Sequence, residues 1–144
     1  MGRKGKGDMR YLLILGDSLD LEADSVRYGI ELARRINAGV TLLVLLENAG
    51  ARGMKEIAEE ALARHVAMAA EAGVRATAVV RVGPPRTEVI KHLAGEGAPE
   101  VAVWAGGTGR QADRGHWLKQ MKEDLGCPVV VPSARRVARR GRET

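Results

Sequence analysis

Two segments of the sequence carry residues that could do chemistry, and the more informative one is rich in glycine. The segment Ala105–Gly109 has three glycines within four residues. Such a segment exposes backbone N–H groups and can adopt positive φ angles, which suits the binding of an anion such as phosphate. The next helix is predicted to begin near Gly115-His116, where its N-terminus would add a favourable dipole. The pattern indicates a phosphate-binding loop, with a flexible turn as the alternative.

The second segment is acidic and lies between Gly16 and Asp24. Four acids fall within eight residues there: Asp17, Asp20, Glu22 and Asp24. By charge alone they make a poor direct site for phosphate, and we expect residues Asp20 to Asp24 to cap the first helix and complement its dipole. Asp17 is nearest to the preceding apolar run. We predict that it accepts a hydrogen bond from a ribose hydroxyl, with a plain turn residue as the alternative.

The remaining residues suggest no catalytic or metal centre. His65, His92 and His116 are scattered, and no pair has the spacing of zinc ligands. His65 is expected to pack or lie on the surface of the second helix, His92 to be solvated, and only His116 is a ligand candidate. Cys127 is predicted to be a small core residue. A phosphatase or phosphorelay receiver would need closely paired aspartates after the first strand, and Asp17-Ser-Leu-Asp20 lacks that spacing.

Five short apolar runs must position these segments: Tyr11–Leu15, Val40–Leu46, Val74–Val82, Val101–Ala105 and Cys127–Val131. Four are nearly continuous, which is typical of strands covered on both faces, whereas the third alternates and suits a sheet edge. Segments of helical period separate them, and the third helix is predicted to end at Gly95. The alternation predicts a doubly wound α/β domain with a five-stranded parallel sheet and helices on both faces. In such sheets ligands bind beyond the carboxyl ends of the strands, where the strand order reverses.

The charge of the chain is concentrated at its ends. The 144 residues carry a formal charge of +5, with +3 on residues 1–10, +4 on residues 134–144, and −2 on the rest. We therefore predict basic tails at 1–9 and 134–144 around a single domain at 10–133, and consider nucleic acid an unlikely partner. The apolar runs are too short to span a membrane and no signal peptide is evident, so a cytoplasmic protein is expected. A single cysteine excludes an internal disulfide.

In this order and spacing, the pieces resemble the universal stress protein family over nearly all of residues 10–132. The matching segments are Tyr11–Asp17, Tyr28–Ala33, Val40–Leu45, Val82–Pro84, Glu100–Gly106 and Cys127–Val131. Nucleotide-binding members of that family carry Gly-x-x-Gly, a spacer, and then Gly-Ser/Thr after the fourth strand. Gly106-x-x-Gly109 matches the first part, and Gly115-His116 is the better match for the second. This alignment leaves a shortened spacer of five residues and puts histidine in place of the hydroxyl residue.

The resemblance implies a small regulatory or stress-response protein that binds ATP, with Mg²⁺, or AMP, and that has at most weak ATP hydrolysis. It places seven residues at the nucleotide. Asp17 would meet the ribose and Leu45 the adenine through its backbone, and the others, Ala105, Gly106, Gly109, Gly115 and His116, would hold the rest. It also implies a homodimer through the last strand, with Cys127, Val129, Val130 and Val131 at the interface. The alternative is the same fold with nucleotide binding lost, acting as a homodimeric interaction module.

Overall fold

The computed structural model describes residues 10–47, 53–106 and 125–132. In chain order its elements are β1 (Tyr11–Gly16), α1 (Ala23–Ile36), β2 (Gly39–Leu46), α2 (Met54–Glu71), β3 (Ala76–Val82), α3 (Pro85–Glu96), β4 (Val101–Trp104) and β5 (Val129–Val130). The predicted tails and most of the predicted fourth helix lie outside the described residues. Each described strand falls within one of the five predicted runs or extends it by a single residue.

All strand pairs are parallel, and the sheet has the order β3-β2-β1-β4-β5. The chain thus winds outward from β1 through β2 to β3, crosses over, and winds outward again through β4 to β5. The reversal lies between β1 and β4, which is the switch point of a doubly wound fold. The predicted fold class is confirmed, and so is the position of the third strand at an edge of the sheet.

Each face of the sheet carries its own core. Leu12 and Ile14 of β1 pack with residues of α1 and α2 on one face. Leu13 and Leu15 pack on the other face with Val89 of α3. Because successive side chains of a strand point to opposite faces, a central strand covered on both sides must be apolar at every position. This is why the β1 sequence does not alternate.

Helix α1 lies close to β1 because residue 29 has no side chain. A Cβ at Gly29 would lie 2.5 Å from Cδ1 and 2.9 Å from Cγ1 of Ile14. A glycine at position 29 therefore sets the distance between the first helix and the centre of the sheet.

The helix ends at Asn37, which adopts the left-handed conformation at φ 60° and donates its backbone N–H to the last turn.

The end of α3 differs from the prediction. The helix runs to Glu96, and Gly97, at φ 86°, donates its N–H to the Leu93 carbonyl. Gly95 lies within the last turn instead of ending the helix. Two glycines two residues apart both suit a helix end, and only the positive φ angle of Gly97 distinguishes them.

Candidate functional site

The carboxyl edge of the sheet brings the end of β1 and the end of β4 together. The backbone N–H of Ala105 donates to the Leu15 carbonyl at 2.7 Å, and the Ala105 carbonyl accepts from the Glu22 N–H at 2.8 Å. A Cβ at Gly16 would lie 3.1 Å from that same carbonyl oxygen. The ends of β1 and β4 are therefore in direct contact. Half-buried Asp17 follows the first strand, and half-buried Gly106 closely follows the fourth. The two predicted segments meet at the switch point.

The predicted site residue Leu45 lies on a strand that extends further than β1. The last register pair of these strands is Gly16 with Val44, whereas β2 continues to Leu46. Gly39 donates its N–H toward β1, and Leu46 accepts from the β3 side. Since backbone groups alternate along a strand, those of Leu45 face the β1 side. The Leu45 carbonyl is thus at the level of Asp17, one step beyond the end of β1.

Gly106 is required by packing and not by an unusual backbone angle. A Cβ at this position would overlap the indole of Trp104, which is almost fully buried on the α3 side of the sheet. Gly106 does not have a positive φ, in contrast to the conformation expected for the glycine segment. The sequence pattern singles out Gly106 for phosphate binding, whereas the structure shows that packing against the large side chain two residues earlier requires a glycine here.

Most acids of the segment Gly16–Asp24 have structural contacts, as predicted, but not all of them act at the start of α1. Glu22 is the N-cap of α1, and its Oε1 accepts from the backbone N–H of Ser25 at 2.9 Å and from the Ser25 hydroxyl at 2.5 Å. Asp24 lies in the first turn and pairs with Arg27 at 3.1 Å. The backbone N–H groups of Glu22 and Ser25 at the start of α1 thus donate to acceptors of the protein itself.

Asp20 does not cap the helix, contrary to the prediction. Its Oδ1 lies 2.9 Å from Nε2 of His65, and its Oδ2 lies 3.6 Å from Arg64, both on α2. The His65 side chain is buried, whereas Asp20 is half exposed. The pair ties the loop that carries Asp17 to the second helix. The partners are 45 residues apart, so no spacing pattern in the sequence could have revealed them.

A charged cluster that the sequence analysis did not single out lies at the start of α3. The Glu88 carboxylate is buried, and it accepts hydrogen bonds from Arg81 at 3.2 Å and from Lys91 at 3.4 Å. Gly83, at φ 146°, leaves room for it, since a Cβ there would lie 2.6 Å from a Glu88 oxygen. Two cations compensate one buried carboxylate, and the Arg81–Glu88 contact connects the end of β3 to the first turns of α3.

His92 is buried, which corrects the prediction that it is solvated. The residue is 3% exposed, and its ring lies edge-on to Tyr11, with ring centroids 6.2 Å apart. Its Nε2 has no hydrogen-bond partner among the described residues. Burial, and to a lesser degree Arg81, lowers the pKa of His92, although Glu96 opposes them. Burial also raises the pKa of Tyr11 to about 12. This pair lies at the amino end of β1, away from the switch point.

The burial of His92 predicts that the protein loses stability in mild acid. Because the folded state favours the neutral ring, the unfolded chain binds more protons once the pH falls below about 6.5. The free energy of unfolding should therefore decrease below that pH, by at most about 1.4 kcal/mol per pH unit from this group. Urea unfolding between pH 5 and 7 measures the slope. A His92→Gln variant should have a shallower slope, and an unchanged slope would contradict the assignment.

Three predicted site residues cannot be placed. Gly109, Gly115 and His116 lie outside the described residues, so the structure brings together Asp17, Leu45, Ala105 and Gly106 only. Within the described ranges there is no group of three or more side chains suited to hold a metal ion. In that same part of the chain, no helix combines the length and apolar character needed to cross a membrane.

The topology and its switch point define a doubly wound α/β domain. Comparison with solved structures shows which family of such domains has the same fold. The chain is similar to a universal stress protein from Archaeoglobus fulgidus, with a TM-score of 0.65 and 16% identity, over 85% of this chain and 97% of that one. It is also similar to the A. fulgidus protein in complex with dAMP, at a TM-score of 0.64, 16% identity and coverages of 85% and 96%. A universal stress family protein from Arabidopsis thaliana with AMP bound matches at 0.55 and 15% identity, over 85% and 90%.

These similarities show that the chain has the universal stress protein fold, which confirms the resemblance predicted from the sequence. No protein-family model matches the sequence, and no curated protein matches it either. The similarity is therefore one of fold, at identities of 14–17%.

Proposed function

We propose that this protein binds an adenine nucleotide, AMP or ATP, at the carboxyl edge of the sheet between β1 and β4. The role that we propose is regulatory, in a cytoplasmic stress response, with at most weak hydrolysis of ATP. The observation that carries the proposal is the contact between the ends of β1 and β4 at the switch point, which half-buried Asp17 and Gly106 closely follow. Ligands of doubly wound folds bind in the crevice at this point.

The chemistry of the described residues suits a nucleoside. A carboxylate at position 17 can accept hydrogen bonds from ribose hydroxyls, since ionised carboxylates are strong acceptors. The Leu45 carbonyl, on the β1 side of β2, would accept a hydrogen bond from the adenine amino group. The glycine segment that begins at Gly106 would supply backbone N–H groups to the phosphates, together with Gly109, Gly115 and His116. Mg²⁺ would accompany ATP as a partner of its phosphate oxygens.

Two further observations support this proposal. Structures with the same fold were solved with dAMP and with AMP. In addition, Asp17 directly follows β1 at the carboxyl edge of the sheet, whereas Glu22 caps the helix and Asp20 contacts His65 on α2.

A direct test is to denature the purified protein and to search the supernatant for AMP or ATP by chromatography and absorbance. If none is released, AMP and Mg-ATP should be titrated into the protein by calorimetry. We expect saturable heat with at least one of them. No released nucleotide and no heat at millimolar ligand would contradict the proposal and would favour the interaction module without a nucleotide.

We also propose that the protein forms a homodimer through β5. This strand lies at the edge of the sheet, paired with β4 on one side, and its valines are half-buried. Val129 and Val131 pack against the core on the α3 side, whereas Val130 belongs to neither core cluster. An apolar edge strand is a template for pairing with a second chain.

Sedimentation measures the dimer directly. A dimeric mass is expected at micromolar concentration, and Val130→Lys should shift it toward the monomer because charge on an edge strand opposes pairing. Val82→Lys is the matched control, since Val82 is 38% exposed on the opposite edge strand. A wild-type protein that is monomeric throughout the micromolar range would contradict the proposal.

A further inference from the structure

A second feature of the fold lies at the opposite, amino edge of the sheet. A groove of about 480 Å³ is found there, and three arginines line it: Arg10, Arg34 and Arg75. They come from three different places, directly before β1, in the last turn of α1, and shortly before β3. Among the described residues that line the groove, none is acidic. A volume of this size is typical of ligand sites.

Backbone hydrogen bonds hold two of these arginines on either side of β2. The Arg10 carbonyl accepts from the Gly39 N–H at 3.0 Å, and the Arg75 carbonyl accepts from the Val40 N–H at 2.8 Å. The two residues therefore flank the start of one strand, on its two neighbours. Since adjacent strands are about 4.8 Å apart, their backbones are separated by about 10 Å. Long guanidinium side chains from these positions can reach a common ligand between them.

One helix-capping hydrogen bond and two ion pairs engage Arg10 and Arg34, but no described partner compensates the charge of Arg75. Arg10 donates to the Ile36 carbonyl at 3.1 Å and lies 3.9 Å from Glu100. Arg34 pairs with Glu31 at 2.9 Å on the surface of α1. Arg75 is exposed and forms no ion pair and no side-chain hydrogen bond with the described residues. An uncompensated guanidinium beside two others is a site for an anion.

We propose that this groove binds phosphate groups, and that Arg10, Arg34 and Arg75 are their ligands. Arginine presents a planar set of donors that matches the oxygens of phosphate, and a surface pair with a carboxylate is weak enough to exchange for it. The segment before Arg10 carries three more cations in the sequence, Arg3, Lys4 and Lys6. The site is at the edge of the sheet opposite to the nucleotide site, and it does not depend on that site.

The phosphate can come from a small molecule or from a nucleic-acid backbone, and two probes separate these sources. One is a fluorescently labelled short oligothymidylate, whose binding to the full chain is followed by anisotropy. The other is inorganic pyrophosphate, titrated by calorimetry and used as a competitor. Direct binding of pyrophosphate would identify a small phosphate ligand, and binding of the oligonucleotide alone would identify a backbone. Either result supports the proposed site if the binding of the probe depends on the groove arginines.

The double variant Arg34→Gln with Arg75→Gln tests that dependence. We expect it to bind the effective probe about tenfold more weakly. For the oligonucleotide, the slope of log K against log salt should become shallower by about 1.4, since each lost phosphate contact on a single strand contributes about 0.7. Both side chains are exposed, so the thermal unfolding midpoint should change little.

Three control variants complete the design. Arg27→Gln removes one positive charge at the other end of α1 and should leave binding unchanged. Asp17→Ala should also leave it unchanged, which separates this groove from the nucleotide site. A deletion of residues 1–9 shows whether the basic segment alone is responsible. The proposal is overturned if neither probe binds, if the double variant binds like the wild type, or if Arg27→Gln weakens binding as much as the double variant does.

Discussion

Replacement of Asp17 by alanine should lower the affinity for AMP by about 10- to 100-fold. The expected loss corresponds to one charge-assisted hydrogen bond to the ribose, which is worth about 1.5–3 kcal/mol. Because Asp17 is half-buried in a loop after β1, its removal takes away a ligand group without opening the core. Calorimetric titration of both proteins with AMP measures the effect.

Asp24→Ala is the matched control for this experiment. It removes the same charge in the same segment, but Asp24 pairs with Arg27 on the outer surface of α1. Its variant should lose only about 0.3–1 kcal/mol of stability from the helix dipole and should bind AMP like the wild type. Equal affinities of the Asp17→Ala variant and the wild type would remove Asp17 from the site. They would leave the fold assignment untouched.

Truncation of Leu15 should have the largest effect on stability. Leu15 is fully buried at the centre of the sheet, and its register partners are Leu43 on β2 and Trp104 on β4. Leu15→Ala leaves a cavity at the switch point and should reduce the free energy of unfolding by about 2–5 kcal/mol. Urea denaturation followed by circular dichroism measures this directly.

Leu32→Ala provides the comparison for Leu15→Ala, since it makes the same chemical change at a partly buried position at the margin of the core. Its cost should be clearly smaller, because part of the removed surface is already in contact with water. If the two variants were equally destabilised, the arrangement of the core around β1 would be wrong.

Most of the fold could be predicted because burial on two faces leaves a simple pattern. Strands β1 and β2 must be apolar at almost every position, and their runs are visible without any other information. The alternating third run correctly indicated an edge strand. The order of the elements then restricted the topology, since parallel crossovers are right-handed and the two halves must wind in opposite directions from the centre.

The parts that could not be predicted depend on contacts between distant residues. His92 was expected to be solvated, and only the packing of α3 against Tyr11 buries it. The contact between Asp20 and His65 joins a loop to a helix that the sequence leaves unrelated to it. Local patterns report what a residue's own element requires, and they contain no information about which other element covers it.

Part of the candidate site could be predicted because its residues adjoin the apolar runs. Asp17 and Gly106 directly follow strong apolar runs, so the strand order alone brings them to one edge. The correct reason for glycine at 106 was not evident, because it depends on how the Trp104 indole folds under the backbone. The roles of Gly109, Gly115 and His116 remain predictions of the sequence.

The carbonyl of Ala105 joins two parts of the molecule that the chain keeps more than 80 residues apart, because it accepts from Glu22 at the start of α1. The start of the first helix and the end of β4 are therefore joined by this hydrogen bond, and a shift of either one would change its length. A displacement of the backbone at Ala105 would therefore reach the N-terminus of α1 directly, through a single hydrogen bond.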